Sequence, residues 1–403
     1  MPSDAETRSR RAADKVDADT LLQLTLDLIR IPSENPPGDV TLISERVYRE
    51  LHSLQPDELR FIEPVPGKRS VIARFKGRTP SPSVTFYSHL DVVPVDAEER
   101  AKWDTDPLVP TLVDGKLYGR GATDTKGGIS SSIEAIRAFK ASGIEQEHDI
   151  YVMAVADGEV GDLAGIKYMA ENKILPGDMA VACEPTYGRV VRCYKGRIWF
   201  ELSVKGRAVH ASVPEEGVPA ILKAAQVILA MQEMKLAHEQ HPLLGPSTLA
   251  WTTIKGGSAV NAVAGDCRIT FDVRLVPGQT VDAVYAEIER FLAALRGKDP
   301  DLYTELKILP GAGRESVETA EESELVQELV ATVPAVTNHP AEFGAGIESP
   351  GGVYHYLLSG KPGVFYGPGN IRLAHLPNEC LEISKLVELA RVYAGLMARL
   401  CGR

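Results

Sequence analysis

The chain has 403 residues, of which 44% are hydrophobic and 25% are charged, and its formal net charge is −11. A chain of this length exceeds one typical hydrophobic core, so we expect two domains of ordinary globular composition. The negative charge, without any basic stripe, argues against nucleic acid as a partner.

The N-terminal segment and the cysteines bear on the cell compartment. Residues 1–19 contain no apolar run that could act as a signal peptide, and no later stretch approaches the roughly 18 apolar residues of a membrane span. The five cysteines are odd in number and lack the paired spacing of metal sites, which favours reduced thiols. We therefore expect a cytoplasmic protein that does not bind membranes.

The first candidate site follows two helical patterns, at 17–30 and 44–54, and lies in an apolar run at 84–94 that is typical of a buried strand. His89 and Asp91 are two residues apart, so their side chains point to the same face. An imidazole can bind a divalent cation while a carboxylate orients it, as is common at zinc sites. A strand-end histidine with an ordinary hydrogen bond is the alternative.

Glycines surround a single carboxylate, Asp124, between residues 117 and 128, ahead of a helical pattern at 129–142. Glycines allow close backbone approach or a positive φ, which a ligand shared by two cations can require. An ordinary turn in which Asp124 caps the helix is the alternative.

Two further apolar strands, 150–156 and 179–183, are followed by Glu159 and Glu184. The carboxyl ends of parallel strands meet at one edge of a sheet, which is the usual place for an α/β active site. Near the C-terminus, His375 offers a second imidazole. The sequence therefore indicates a metal site at this edge.

The middle of the chain changes its pattern. It predicts a strand at 198–209, a helix at 219–239, strands at 248–256 and 266–276, a helix at 281–296 and a strand at 302–309. This β-α-β-β-α-β order is the ferredoxin-like signature. We predict an inserted α+β lid domain at 197–310 between two parts, 1–196 and 311–403, of an α/β domain with a mixed, mostly parallel sheet and flanking helices.

Taken in order, these motifs resemble those of the co-catalytic zinc amidohydrolases, a family that includes acetylornithine deacetylase, succinyl-diaminopimelate desuccinylase, aminoacylase and glutamate carboxypeptidase. The resemblance implies five metal ligands with one shared between two ions: His89 and Glu184 for one ion, Glu159 and His375 for the other, and Asp124 for both. Asp91 would be a catalytic residue that orients His89. Two imidazoles and three carboxylates suit two zinc ions, with cobalt or manganese as substitutes.

The implied activity is that of a deacylase or metallopeptidase. A water activated by two metal ions would attack the amide carbonyl of an N-acyl amino acid or a related small molecule. The family pattern has two successive glutamates after Asp157, the first being the general base, and here the first position is Gly158. A general base is worth about 10²–10⁴-fold in rate, and hydrolysis stays the leading hypothesis because every metal ligand is retained.

The missing glutamate leaves three alternatives open. Another base, such as Asp157, Asp162 or a group of the substrate, could replace it. The chemistry could be a decarboxylation, an isomerisation or a ring closure, which needs two Lewis-acidic metals but no activated water. The chain could also be a pseudoenzyme that binds metal and substrate without turnover.

The lid carries further candidates by the same resemblance. His210 matches the lid histidine that stabilises the oxyanion, often in the active site of the partner subunit, which implies a homodimer formed through the lid. Asn261 and Arg274 match positions that bind the substrate, and the arginine fork suits a terminal carboxylate. A histidine bonded to a backbone carbonyl and a solvent-facing arginine are the alternatives.

A second departure from the family pattern lies at 349–356. The acidic and arginine residues usual there are absent, and the stretch contains Tyr354, His355 and Tyr356. We expect His355 to bind the substrate or to replace the acid–base group. Packing at the start of a helix is the alternative.

Overall fold

The structure is a computed structural model that describes residues 3–161, 163–237, 240–346 and 351–403. The described residues divide into two compact units, one within 1–192, 319–344 and 350–403 and the other within 193–318 and 345–349. The predicted insertion, 197–310, lies inside the second unit.

The helices are, in chain order, α1 Asp4–Ala13, α2 Ala18–Ile29, α3 Thr41–Ser53, α4 Ala97–Arg100, α5 Gly127–Ala141, α6 Ile166–Glu171, α7 Ala220–Gln232, α8 Val281–Lys298, α9 Glu324–Thr337, α10 Val353–Leu358 and α11 Ile383–Leu400.

The strands are, in chain order, β1 Glu58–Val65, β2 Lys68–Phe75, β3 Thr79–His89, β4 Thr111–Val113, β5 Lys116–Tyr118, β6 His148–Val155, β7 Met179–Ala182, β8 Val190–Tyr194, β9 Gly196–Lys205, β10 Thr248–Gly256, β11 Asp266–Leu275, β12 Tyr303–Ile308, β13 Val317–Glu318, β14 Phe343–Gly346, β15 Gly363–Phe365 and β16 Cys380–Glu382.

The first unit is built on a mixed sheet with the strand order β1-β2-β6-β3-β7-β15-β8. Its centre, β6-β3-β7-β15, is parallel, whereas the strands on either side pair antiparallel. Helices α1, α5, α9 and α11 share one hydrophobic core with the sheet. The predicted α/β class with a parallel centre and flanking helices is confirmed.

The register of the central strands brings their carboxyl ends together. His89 at the end of β3 pairs with Val155 of β6, and Tyr87 pairs with Ala182 of β7. Residues 84–89 of β3 are almost entirely buried, as expected of a strand covered on both faces. The candidate ligands that follow these strands therefore start from neighbouring points on one edge.

The second unit contains a four-stranded sheet, here called the lid sheet, with the strand order β10-β11-β9-β12 and antiparallel pairing throughout. Helices α7 and α8 pack on one face, and their apolar residues join a core that includes Phe200 and Phe271, whose rings stack at 5.0 Å. The element order β9-α7-β10-β11-α8-β12 and this strand order are those of the predicted ferredoxin-like fold.

One predicted helix of this unit is too long. Helix α7 ends at Gln232, whereas the pattern predicted helix to residue 239, of which 238–239 lie outside the described residues. Met234 and Leu236 pack against the core of the second unit. Since apolar side chains after Gln232 gain more from this core than from further helical turns, tertiary packing overrides local propensity.

Two observations concern membrane-spanning helices and the thiols. Within the part of the chain that the structure describes, no helix combines the length and the apolar character needed to cross a bilayer. All five cysteines are buried and none is in a disulfide, as predicted.

Candidate metal centre

All five predicted ligands come together at the carboxyl-end edge of the sheet in the first unit. They form two groups, His89–Asp124–Glu184 and Asp124–Glu159–His375, and within each group the ligand atoms lie within 4.8 Å of one another. Asp124 is shared, because its Oδ1 is 3.0 Å from His89 Nε2 and its Oδ2 is 3.3 Å from His375 Nε2. This is the arrangement that a carboxylate bridging two cations requires.

The remaining distances place each histidine beside one of the two glutamates. His89 Nε2 lies 3.9 Å from Glu184 Oε2, and His375 Nε2 lies 3.1 Å from Glu159 Oε2. His89, Asp124 and Glu159 have side chains less than a tenth exposed, whereas His375 is half exposed. His375 therefore marks the side of the centre that is open to small molecules.

A glycine lets the Asp124 turn approach the sheet. A Cβ atom at Gly128, in the first turn of α5, would lie 2.3 Å from the backbone oxygen of Cys183. Helix α5 can therefore begin against the end of β7, directly beside Glu184. The predicted use of glycine for close backbone approach applies at this position.

The charges of the centre favour cations. Burial alone would lower the pKa of His89, but hydrogen bonding to Asp124 and the charges of Glu184 and Asp91 raise it well above its usual value. Hydrogen bonds to Asp124 and Glu159 raise the pKa of His375 to about 10. Although burial opposes ionisation of Asp124, its hydrogen bonds with His375 and His89 hold its pKa below the usual value. The three carboxylates thus attract positive charge.

An unpaired oxygen supports the fit to metal ions. Glu159 Oε1 is buried and has no hydrogen-bond partner among the described residues. A buried carboxylate oxygen without a partner is costly, and a coordinated cation would satisfy it. With two imidazoles and three carboxylates around Asp124, the residues fit two divalent cations, and this donor set leaves open which metal is bound.

Asp91 has more partners than the predicted one. Its backbone oxygen accepts a hydrogen bond from His89 Nδ1 at 2.8 Å, while its Oδ1 lies 3.6 Å from that nitrogen. The carboxylate instead accepts hydrogen bonds from the backbone N–H groups of Gly158 and Glu159, at 2.9 and 3.1 Å. Asp91 therefore fixes both His89 and the backbone that carries Glu159.

Gly158 has no room for a side chain. A Cβ atom at this position would lie 2.4 Å from Cβ and from Cγ of His89, whereas ordinary contacts begin at 3.4 Å. The backbone of residue 158 is thus packed directly against a candidate metal ligand. The sequence did not predict this contact, which only a residue without a side chain can make.

Three groups engage the carboxylate of Asp157, which the sequence offered as a substitute base. Its Oδ1 pairs with Lys68 Nζ at 2.5 Å and accepts a hydrogen bond from Asn35 Nδ2 at 3.0 Å, while its Oδ2 accepts one from the Ala164 N–H. Asn35 also donates to Asp91. These contacts disfavour Asp157 as the replacement base, whose identity stays a prediction, and Asp162 lies outside the described residues.

A buried ion-pair network contacts the backbone of the Asp124 turn. Glu379 Oε1 accepts hydrogen bonds from the backbone N–H groups of Thr123 and Asp124, at 2.9 and 3.1 Å. Its other oxygen binds the fully buried Arg120 at 2.7 Å, and Arg120 also pairs with Glu99. Burial raises the pKa of Glu379 to about 7, although Arg120 opposes that effect. The network holds the bridging carboxylate in place.

The three lid candidates do not form one cluster. His210 is exposed, its Nδ1 bonds Ser212 Oγ at 2.8 Å, and Asn261 accepts a backbone hydrogen bond from the neighbouring Ala211. Arg274 lies at the opposite end of the lid sheet, where it stands across from Arg197 in the register of β11 and β9. The eight residue steps along β9 from Arg197 to Lys205 alone span about 26 Å. Within the second unit, one small ligand cannot contact both sets.

His355 lies on the short helix α10 and is half buried, with its ring edge-on to Tyr354 at 5.6 Å. The next residue, Tyr356, is buried, stacks with Tyr87 and donates a hydrogen bond to the Pro176 carbonyl. Tyr356 is thus a packing residue, and substrate binding by His355 stays a prediction. Residues 347–350 of the preceding loop lie outside the described residues.

The comparisons with known proteins agree with this geometry. The family model described as peptidase family M20/M25/M40 matches residues 85–399. An acetylornithine deacetylase of Myxococcus xanthus is 30% identical over 396 residues, which are 96% of this chain and 99% of that protein.

Two solved structures share the fold. Aminopeptidase PepT from Bacillus cereus ATCC 10987 has a TM-score of 0.77 at 18% identity, covering 96% of this chain and 99% of that one. The YXEP protein of Bacillus subtilis, described as a dinuclear metal binding peptidase from the M20 family, has a TM-score of 0.67 at 18% identity, covering 94% and 97%.

Proposed function

The chain belongs to peptidase family M20/M25/M40, and from this membership we propose that it is a dinuclear metal-dependent hydrolase of the amide bond of an N-acyl amino acid or a related small molecule. The observation that carries the proposal is the convergence of five ligands in two groups that share Asp124. Zinc is the proposed metal, with cobalt and manganese as substitutes.

The residues of the centre have distinct parts in this proposal. His89 and Glu184 would hold one ion, Glu159 and His375 the other, and Asp124 would bridge them. Bound there, two divalent cations would supply Lewis-acid activation of the amide carbonyl and a water that loses its proton near neutral pH. Asp91 would keep the first imidazole and the Glu159 backbone in register.

The proton released during hydrolysis needs an acceptor other than residue 158. Gly158 has no side chain, and Asp157 is paired with Lys68. A basic group of the substrate itself is therefore the acceptor that we propose. Without a protein base, turnover should be about 10²–10⁴-fold slower than with one.

The packing of Gly158 against His89 favours a second candidate function. A centre that keeps every ligand but has no room for a base suits chemistry that needs no activated water, such as a decarboxylation, an isomerisation or a ring closure, or binding without turnover. Hydrolysis stays first because the relatives named above are a deacetylase and peptidases.

The test starts with metal analysis of the purified protein and a panel of N-acyl amino acids that includes N-acetylornithine. We expect two divalent ions per chain, and we expect Glu159→Gln to lose one of them together with at least about 100-fold of the activity. Glu171→Gln is the matched control, since that side chain is 64% exposed on the surface. Two bound ions without hydrolysis of any substrate would favour the second candidate, and absence of metal would contradict both.

We also propose a homodimer formed through the second unit. Helix α7 exposes Ile221, Leu222 and Leu229, and the neighbouring edge strand β10 exposes Ile254. The side chain of Ile221 lies against Gly256 at the end of β10, so the helix and the strand form one apolar surface. An open strand edge beside apolar side chains is a typical self-association surface.

A dimer would also account for the separation of the lid candidates. His210 and Asn261 lie at one end of the lid sheet and Arg274 at the other, so two copies would allow each substrate to receive one set from each chain. Sedimentation analysis should give a dimer for the wild type and a monomer for the double variant Leu222→Glu/Leu229→Glu. Leu358→Glu, at a 58% exposed position of the first unit, is the control. A monomeric wild type would refute the proposal.

A further inference from the structure

The side chain of Asn35 joins two carboxylates beside the candidate metal centre. Its Nδ2 donates hydrogen bonds to Asp91 Oδ2 at 2.9 Å and to Asp157 Oδ1 at 3.0 Å. Both N–H groups of the amide are therefore used. Because each oxygen lies within 3.0 Å of one nitrogen, the two carboxylates approach each other to about 6 Å or less. Asn35 is 4% exposed, so water cannot easily replace it as the donor between them.

A lysine fixes which way the amide of Asn35 faces. Its Oδ1 accepts a hydrogen bond from Lys68 Nζ at 3.3 Å, and the same ammonium group pairs with Asp157. A flipped amide would turn its oxygen toward the two carboxylates and its N–H groups toward the ammonium group. Since neither contact would be favourable, the donor side of the amide faces Asp91 and Asp157.

The backbone of segment 31–35 brings this amide to its place. The N–H of Asn35 donates to the carbonyl of Val92, the residue that follows Asp91, at 2.8 Å. At the other end of the segment, the buried Lys126 donates from Nζ to the carbonyl of residue 31 at 2.9 Å. These bonds do not involve the side chain of residue 35, so a substitution there removes the amide without releasing the segment.

The hydrogen bond from Asn35 completes the set of donors around the Asp91 carboxylate. The N–H of Gly158 binds Oδ1, whereas the N–H of Glu159 and the amide of Asn35 both bind Oδ2. Without the amide, Oδ2 keeps one donor, and the negative charge of Asp157 faces it with no group between them. The carboxylate could then rotate away from the backbone that carries Glu159.

We propose that Asn35 is a positioning residue for the metal centre, because its amide holds the Asp91 carboxylate against the backbone of residues 158 and 159 and separates it from Asp157. The inference rests on the function proposed above, of which it uses the binding of two metal ions and not the hydrolysis. Asn35 acts through Asp91, which fixes one ligand of each metal group. Its loss should therefore lower metal affinity and kcat and leave KM within about twofold.

The isosteric variant Asn35→Asp tests this role, because it replaces the donor by a third negative charge. In chelator-buffered titrations we expect the Kd for zinc to rise about 10–100-fold. We also expect a changed visible absorption spectrum of the cobalt-loaded protein, since the ligands would no longer keep their geometry. Asn172→Asp is the matched control: Asn172 is exposed and donates to the Tyr168 carbonyl at 2.9 Å. Its Kd and its spectrum should equal those of the wild type.

A charge exchange separates positioning from folding. The double variant Asn35→Asp/Asp157→Asn has the net charge of the wild type and again offers Lys68 one carboxylate, but it gives Asp91 no donor. We expect it to recover stability against urea while its Kd for zinc stays at least about tenfold raised. Leu51→Ala removes a fully buried side chain of α3, so it should lower the stability without changing the Kd or the cobalt spectrum.

Asn35→Ala removes the amide without adding a charge and keeps the test decisive if Asn35→Asp does not fold. Its Kd for zinc should be at least about tenfold raised. A wild-type Kd and cobalt spectrum in Asn35→Ala would overturn the inference, as would a double variant that recovers metal affinity together with stability. If the wild type binds two ions but hydrolyses no substrate, the proposed hydrolysis fails, whereas the Kd values and the spectra still decide the role of Asn35.

Discussion

Replacing Gly158 by alanine tests how tightly the backbone of that residue packs on the metal centre. The added Cβ would lie 2.4 Å from two atoms of His89, where contacts ordinarily begin at 3.4 Å, so one of the two residues must move by about 1 Å. Neither side yields easily, because Asp91 binds the N–H of Gly158 while Thr125 Oγ1 donates to the carbonyl of His89. We expect a loss of about 1–3 kcal/mol in unfolding free energy.

Part of this displacement should reach the imidazole. A misplacement of about 1 Å at a catalytic centre can cost about 100-fold in rate, and the first metal ion should bind at least about tenfold more weakly. Gly158→Glu should behave in the same direction, although it restores the side chain that the family pattern has at this position. Urea denaturation, metal content and turnover of N-acyl amino acids measure the three effects separately.

The control for these variants is Gly297→Ala. Gly297 has no heavy atom of the described residues within 4 Å of an added Cβ and no positive φ, so the same substitution there should not weaken metal binding. The reasoning is refuted if Gly158→Glu binds two metal ions as tightly as the wild type and hydrolyses its substrates faster. That result would mean that the loop accommodates a side chain without displacing His89.

Three other predictions concern groups around the centre. Lys68→Met should lower the unfolding free energy by about 3 kcal/mol, since it leaves the buried Asp157 carboxylate without its cation. If the double variant Lys68→Met/Asp157→Asn recovers none of this loss in urea titrations, the ion pair is not the cause. Arg120→Met should cost about 3–5 kcal/mol because Glu379 then stays buried and unpaired, whereas Arg100→Met, which breaks an exposed pair with Asp106, should cost less than about 1 kcal/mol. The proton that His375 holds, with a pKa raised to about 10 from the usual 6.5, stabilises the metal-free protein fully below pH 6.5, and that stabilisation is lost as the pH rises through about 10. The same proton competes with the metal, so zinc affinity in chelator-buffered titrations should rise about tenfold per pH unit between pH 6 and 8, and a flat profile would contradict the shift.

The strand ends were the part of the site that sequence reasoning could find. A strand buried on both faces leaves an uninterrupted apolar run, and the polar residue that interrupts it marks the edge of the sheet. His89 and Glu184 stand at the ends of such runs, and Glu159 follows one after two residues. The boundaries of β10, β11 and β12 were predictable to within one residue because their alternation and their turns are local features, whereas β9 ends at Lys205 and not at the predicted residue 209.

The side chains that contact the Asp157 carboxylate come from residues far away in the sequence. Lys68 and Asn35 lie 89 and 122 residues away from Asp157 in the chain. In the sequence, Lys68 is an ordinary charged residue and Asn35 is part of a proline-rich turn, and neither carries a pattern that points to a buried carboxylate. The packing of Gly158 on His89 was hidden in the same way, because a glycine in a sequence does not show what fills the space beside it.

The surroundings of Arg197 could not be predicted from the sequence either. In the sequence, Arg197 is an ordinary charged residue at the start of a strand, whereas Arg274 matches a position of the family pattern. Only the pairing of β9 with β11 and with residue 314 puts Arg197, Arg274 and Arg314 on one face. Charge clusters formed across strands depend on register, which single-sequence patterns do not determine.

The two hydrogen bonds that the Asp91 carboxylate accepts from the backbone of residues 158 and 159 join the ends of two neighbouring strands. The same residue holds the imidazole of His89 through its carbonyl group. One ligand of each metal group is thereby fastened to a single side chain and its backbone. Asp91 therefore acts as a spacer between His89 and the backbone that carries Glu159, so an alteration of this residue would change the distance between one ligand of each group while leaving both ligands in the chain.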